Sequence, residues 1–344
     1  MLLIMTPRQR VLRALNHQPL DRAPRDLWLL PGVEVDRADD VAEMQTRFPG
    51  DILHLDTKWP VGKRTKGVAN RSGQYTDAWG CTWQLGPRGA AGPLLASPLA
   101  DAGQIAAYEP PLELLEPARA ARAVKGWESS SRFALAWSEA RPMERIQALC
   151  GPEAALTELT AGQTETRRLL GRLHEFFCRE LELWANVEVD GVVLGDMLAT
   201  PQGLRLPLKS WRSLLRPLYR QYCEILHAHD KFAFFHGGHQ TGDVFGELVE
   251  AGFDAIHAPL FDMDFEKTAT KHRGHVTFWG EIDRKWLDPP ATPQDIREAV
   301  LRVRRALDFG AGGVIAQCAW GPEIPIGNIA KFFEEWMIPL PVGV

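Results

Sequence analysis

Short unbroken apolar runs alternate along this chain with longer stretches in which apolar residues recur at helical spacing, and the cadence holds from end to end. The runs predict strands buried on both faces at Asp26–Leu30, Asp51–Asp56, Arg132–Trp137, Gly191–Leu194, Phe232–His236, Ala255–His257, Val276–Glu281 and Gly313–Gln317. Between them lie amphipathic helices. Thr164–Val187 carries Leu169, Leu170, Leu173, Phe176, Phe177, Leu181 and Trp184 on one face, and Lys209–His229 carries Trp211, Leu214, Leu215, Leu218, Tyr222, Ile225 and Leu226. Thr6, Pro7 and Gln9 form a helix start, with Thr as cap, Pro at the first helical position and Gln three residues after the cap. The clearest unit is Lys231–Asp254, where a buried run ends in His236, Gly237 and Gly238 turn the chain, and a helix follows from Thr241 to Glu250.

One stretch has a different texture. From Gln74 to Leu85, the residues Tyr75, Asp77, Trp79, Cys81, Trp83 and Leu85 alternate with polar or small ones, which predicts an antiparallel hairpin. Gly86–Pro98, crowded with Gly and Pro, reads as a surface loop. Strands that alternate with helices, with no internal linker, predict an α/β protein with a parallel sheet. No glycine-rich phosphate loop follows the first strand. The expectation is therefore a single domain over residues 1–344, a (β/α)8 TIM barrel with a small inserted β-hairpin.

Composition narrows the class of partner. A formal net charge of −5 and the lack of a basic stripe argue against nucleic acid or an acidic membrane, leaving a small molecule as the expected partner. Met1–Met5 is apolar but lacks a basic leader and is too short for a signal or a span. Five cysteines, odd in number and without CxxC pairing, fit a reduced cytoplasm better than a disulfide framework.

In such a barrel, chemistry sits at the carboxyl ends of the strands. The predicted ends present Asp56, Trp137, Asp196, His236, His257, Glu281 with Asp283, and Gln317 with Cys318. An imidazole beside two glycines serves packing poorly, so His236 is the leading functional candidate, with His239 as a second ligand or part of the helix cap. His257 is either functional or a satisfied core histidine. Glu281 either ligates a metal, binds substrate or caps the next helix, whereas Asp196 and Asp56 offer carboxylates to a substrate. Cys318 is either a zinc thiolate or an inert buried thiol. His236, His239, Glu281 and Cys318 together make a mixed N/S/O zinc shell, although no HExxH or CxxC motif supports it. Trp59, Trp79, Trp137, Trp279 and Trp320 either wall a flat apolar substrate or pack the barrel.

Several segments resemble the uroporphyrinogen decarboxylase superfamily: TPRQRVLRALNHQPLDRAP at the start, YTDAWGCTW, the long stretch from LGDMLATPQG to FAFFHGGH, and the closing GGVIAQCAWGPEIPIGNI. The resemblance runs almost the full length and implies a (β/α)8 barrel with one of two known activities: decarboxylation of uroporphyrinogen, or zinc-dependent methyl transfer linked to a corrinoid. The decarboxylase holds its polyanionic substrate with an arginine-rich motif after the first strand. Here that region reads DLWLLPGV from Asp26 to Val33, with Arg22 and Arg25 nearby. The methyltransferases place His-x-Cys after the strand matching Phe232–His236 and another cysteine after the strand matching Val314–Gln317. His236 matches the histidine, Gly238 replaces the first cysteine, and Cys318 lies close to the second. The resemblance thus implies a methyltransferase or demethylase with zinc held by His236, His239 and Cys318. Asp196, Glu281 and Asp56 would be its catalytic residues, and Trp137, Trp320 and His257 its cofactor-binding residues. Its expected partners are a small substrate, a corrinoid protein and a second copy of the chain. Decarboxylation and a silent binding barrel are the alternatives.

Overall fold

The structure, a computed structural model, describes residues 5–55, 60–125, 130–200, 203–237, 242–257, 259–308 and 310–338. Eight strands make one sheet: β1 (Arg25–Leu29), β2 (Ile52–His54), β3 (Phe133–Trp137), β4 (Gly191–Asp196), β5 (Phe232–Gly237), β6 (Ala255–His257), β7 (Thr277–Trp279) and β8 (Val314–Trp320). Their order is β1-β8-β7-β6-β5-β4-β3-β2, so each strand lies beside its sequence neighbour and β8 returns to β1 in parallel register. The Asp51 N–H donates to the Arg25 carbonyl at 2.9 Å, bringing the start of β2 to the start of β1. This is a (β/α)8 barrel. No described helix is long and apolar enough to cross a membrane.

By its packing the chain divides into two compact units: Met1–His54 with Ser129–Leu135 and Phe234–Val344, and Leu55–Glu128 with Ala136–Ala233. In the first unit, helix α1 (Pro7–Leu15) starts with the expected capping box, Thr6 accepting from the Gln9 N–H while the Gln9 side chain accepts from the Thr6 N–H. Its Arg10 is buried and bonds Asp51 (2.5 Å) and Asp21 (2.6 Å). Asp51 also accepts from Arg22 (2.6 Å) and from the Arg25 N–H (2.7 Å). One buried carboxylate thereby ties α1, β1 and β2 together at the amino ends of the strands. Arg22 is committed there, and Arg25 lies against Met337 and the Phe48 ring. Neither is placed to clamp a substrate at the carboxyl ends.

The second unit contains helix α2 (Pro142–Cys150) and the 22-residue α3 (Thr164–Ala185), whose seven predicted apolar positions are all buried. Each such side chain removed from water contributes about 1.5–3 kcal/mol. The predicted helix Lys209–His229 is instead two, α4 (Leu208–Leu214) and α5 (Arg216–His227), because Pro217 has no N–H to continue the ladder and clashes with the preceding turn. The inserted hairpin, Gly73–Thr76 paired with Thr82–Leu85, gains a third strand, Leu94–Ala96, from the stretch expected to be loop.

Several barrel strands end elsewhere than expected, β4 running on to Asp196. β2 stops at His54, and Asp56 lies outside the described residues. β8 runs on through Cys318 to Trp320. β7 stops at Trp279, because Gly280 adopts φ +50° and a side chain there would meet the Gln317 Cβ at 2.5 Å.

Candidate functional site

Residues in register on parallel strands project to the same face, and alternate residues project to opposite faces. The registers Asp26↔Gln317 and Trp28↔Ala319, His236↔His257, His257↔Trp279 and Trp279↔Ile315 therefore set one row of side chains on one face of the first unit's strands. That row is aromatic and polar, and the strand ends carry it. Trp28, Leu30, His236, His257, Glu281 and Ala319 line a cleft of about 540 Å3 together with Pro259, Asp262, Asp283 and Arg284. This is the size of a small-molecule site.

The rings are closely packed. Trp28 stacks on His257 with centroids 4.7 Å apart and planes at 18°, and His257 stacks on His236 at 4.7 Å and 26°. Nε2 of His257 lies 3.3 Å from Oε1 of Gln317 and 3.9 Å from Oε2 of Glu281. Burial, reinforced by the adjacent His236 ring, lowers the His257 pKa well below its ordinary value. At neutral pH this imidazole is uncharged and hydrogen-bonds Gln317 through Nε2. Asp26, only 2% exposed, accepts from the indole N–H groups of Trp28 and Trp279 and lies against Nε2 of His54, all at 2.8 Å. Arg284 is tied to Glu323 by a short ion pair and lies 3.8 Å from Asp288.

His236, His257 and Glu281 are thus brought together as the sequence implies. Cys318 and Trp320 are not. Alternation sets both on the outer face of β8, opposite Gln317 and Ala319, and both are wholly buried. Trp320 packs under the Arg37 guanidinium and donates to the Ile324 carbonyl, and burial raises the Cys318 thiol well above its ordinary pKa. His239 lies outside the described residues. Among the described residues, no three His, Cys, Asp or Glu side chains converge where a metal ion could sit. Cys318, on the other face of β8, therefore does not share the cleft with His236 and Glu281.

The other candidates belong to the second unit. Asp196 is buried at the end of β4 and accepts from the Met143 N–H (2.8 Å), the Glu144 N–H (2.7 Å) and the Tyr219 hydroxyl (2.6 Å). It serves as the acceptor for the amino terminus of α2. Burial outweighs these three donors, with the Glu144 carboxylate adding to it, and raises the Asp196 pKa to about 7. Trp137 lines a separate pocket of about 310 Å3 with Trp79, Trp83, Asp77, Glu139 and Arg145. There Arg145 lies over the Trp79 ring and pairs with Asp77 (3.2 Å) and Glu139 (3.0 Å).

Sequence reasoning missed Asp26, Trp28 and His54, and it placed Gln317 at a strand end without giving it a role. One signal was present: Asp26 and Trp28 sit two apart in a short strand, so they share a face. Their partners are remote in sequence, and no spacing rule reaches them.

The family model for uroporphyrinogen decarboxylase (URO-D) matches residues 75–336. Among solved structures, a methyltransferase from Methanosarcina mazei is similar over 96% of this chain and 98% of that chain, with a TM-score of 0.70 at 13% identity. A D-psicose 3-epimerase is similar over 69% and 83%, with a TM-score of 0.38 at 11% identity, too distant to carry weight. No curated protein matches the sequence. At such identities the structural likeness speaks for the barrel alone, whereas the family match covers most of the sequence: the chain belongs to the uroporphyrinogen decarboxylase (URO-D) family.

Proposed function

We propose that this member of the family is a methyltransferase, which moves a methyl group between a small substrate or thiol held in the first unit's cleft and a corrinoid that enters as co-substrate. The observation that supports this reading is the lining of the cleft. It is aromatic, imidazole-bearing and acidic, and among the described residues that line it the one cation, Arg284, is engaged by Glu323. A porphyrinogen bearing many carboxylates needs cationic clamps, and this lining repels it. A small neutral molecule with a flat face fits beside Trp28.

Methyl transfer at an oxygen or sulfur requires one proton to move. When the heteroatom gains the methyl group it loses its proton, and when it gives the methyl group up it takes a proton back. Glu281 is the group assigned to hold that proton. His257, kept neutral, hydrogen-bonds in the ring stack and adds no positive charge to the cleft. No step is assigned to zinc.

The test is the rate at which the purified protein consumes methylcobalamin in the presence of a small thiol, followed by the methyl–cobalt absorbance. Glu281→Gln is expected to lower kcat by about 10²-fold or more with little change in KM. An unchanged rate in this variant would remove Glu281 from the reaction. No consumption of methylcobalamin by the wild-type protein with a small thiol, together with no methylcobalamin formed in the reverse direction from cob(I)alamin and a methoxylated aromatic, would overturn the methyltransferase reading.

A further inference from the structure

We infer that Asp26 is a positioning residue for the cleft, one carboxylate that fixes the ring plane of Trp28 and the tautomer of His54. The inference rests on the reading of the cleft as the substrate site. Asp26 itself does not line the cleft and acts through rings that surround it.

The geometry is specific. Oδ2 of Asp26 accepts from Nε1 of Trp28 and Nε1 of Trp279, and Oδ1 lies 2.8 Å from Nε2 of His54. An ionised carboxylate only accepts, so Nε2 of His54 carries the hydrogen and Nδ1 the lone pair in the neutral ring. An indole has one N–H, and anchoring it removes the ring's freedom to rotate about its side-chain bonds. Trp28 is thereby held against His257 and His236, at centroid distances of 4.7 and 5.3 Å. The wholly buried Trp279 braces Trp28 edge-on at 5.3 Å and lies parallel to His54 at 6.2 Å. Trp28 is the largest flat surface lining the cleft, so the orientation set by Asp26 is transmitted to whatever lies on that surface. A leucine at position 26 could fill space but would deprive the buried Trp279 indole and the half-buried Trp28 indole of their acceptor.

Nitrogen-15 NMR of the full chain labelled at histidine and tryptophan tests this. In the wild-type protein the neutral His54 ring is expected to show the Nε2–H tautomer, and Trp28 and Trp279 to show indole N–H signals shifted by hydrogen bonding to a carboxylate. Asp26→Asn is expected to move both indole signals, disturb the His54 tautomer, and lower kcat for methyl transfer by roughly 10-fold while KM moves less. A wild-type His54 with its hydrogen on Nδ1 overturns the inference without need of any variant. So does an Asp26→Asn protein whose indole and imidazole signals stay in place. If the signals move as expected while the wild-type protein transfers no methyl group, the positioning role stands and the methyltransferase reading falls.

Discussion

At the residue scale, this chain shows how far a side chain's role depends on the face it occupies. Cys318 and Gln317 are neighbours, yet one points into the outer packing of β8 and the other meets His257. Whatever metal the protein carries, Cys318→Ala is therefore expected to leave its metal content unchanged by elemental mass spectrometry, and loss of metal in that variant would contradict the placement. Asp196 makes the opposite point. Its folded pKa of about 7 stands above the ordinary 3.8, so between those values the native state keeps a proton that the unfolded chain has released. Stability then falls as pH rises through that window, by at most roughly 1.4 kcal/mol per pH unit, and the cost is fully present above about pH 7. Urea unfolding of Asp196→Asn at pH 5 and 7.5 should show a smaller decline across that interval than the wild-type protein. Glu180, raised to about 7 by burial and by the Glu139 carboxylate, keeps its own slope in both proteins. The sequence identified Asp196 as a buried carboxylate at a strand end. What it could not convey was that two backbone N–H groups of α2 and the Tyr219 hydroxyl would occupy it, because those partners come from other elements.

At the scale of elements, periodicity and caps were legible, and the misreadings have local causes. The Thr6 capping box, the seven-position face of α3 and the cadence of eight strands are visible in the sequence because each depends on near neighbours. The long helix predicted over Lys209–His229 breaks at Leu215 because Pro217 interrupts an otherwise helical pattern. β7 ends early because Gly280 turns to let Gln317 pass, a contact between segments far apart in sequence. A tie between elements is made by Asp51, wholly buried and serving Arg10, Arg22 and the Arg25 N–H together. Asp51→Ala leaves Arg10 with Asp21 and the Met5 carbonyl and is expected to cost about 3–5 kcal/mol, the range for removing one partner from a buried charge cluster. Equilibrium unfolding in urea reads this as a lower midpoint with an unchanged slope, and a loss under about 1 kcal/mol would contradict the role given to Asp51.

For the whole molecule, barrel and family could be read from the sequence because both rest on order along the chain. The candidate site was only partly legible. His236, His257 and Glu281 follow from strand ends, whereas the aromatic and carboxylate shell around them is assembled from β1, β2, β7 and β8 and has no motif of its own. The chemistry proposed for the cleft depends on its lack of an uncommitted cationic clamp among the described lining residues, a property of the lining as a whole rather than of any one residue. The decisive comparison supplies the same preparation of protein in parallel with methylcobalamin plus a small thiol and, separately, with uroporphyrinogen under reducing conditions. Methyl–cobalt absorbance is followed in the first reaction and carboxylate loss by chromatography in the second. Consumption of methylcobalamin with uroporphyrinogen left intact is the expected result. Decarboxylation of uroporphyrinogen without methyl transfer would contradict it.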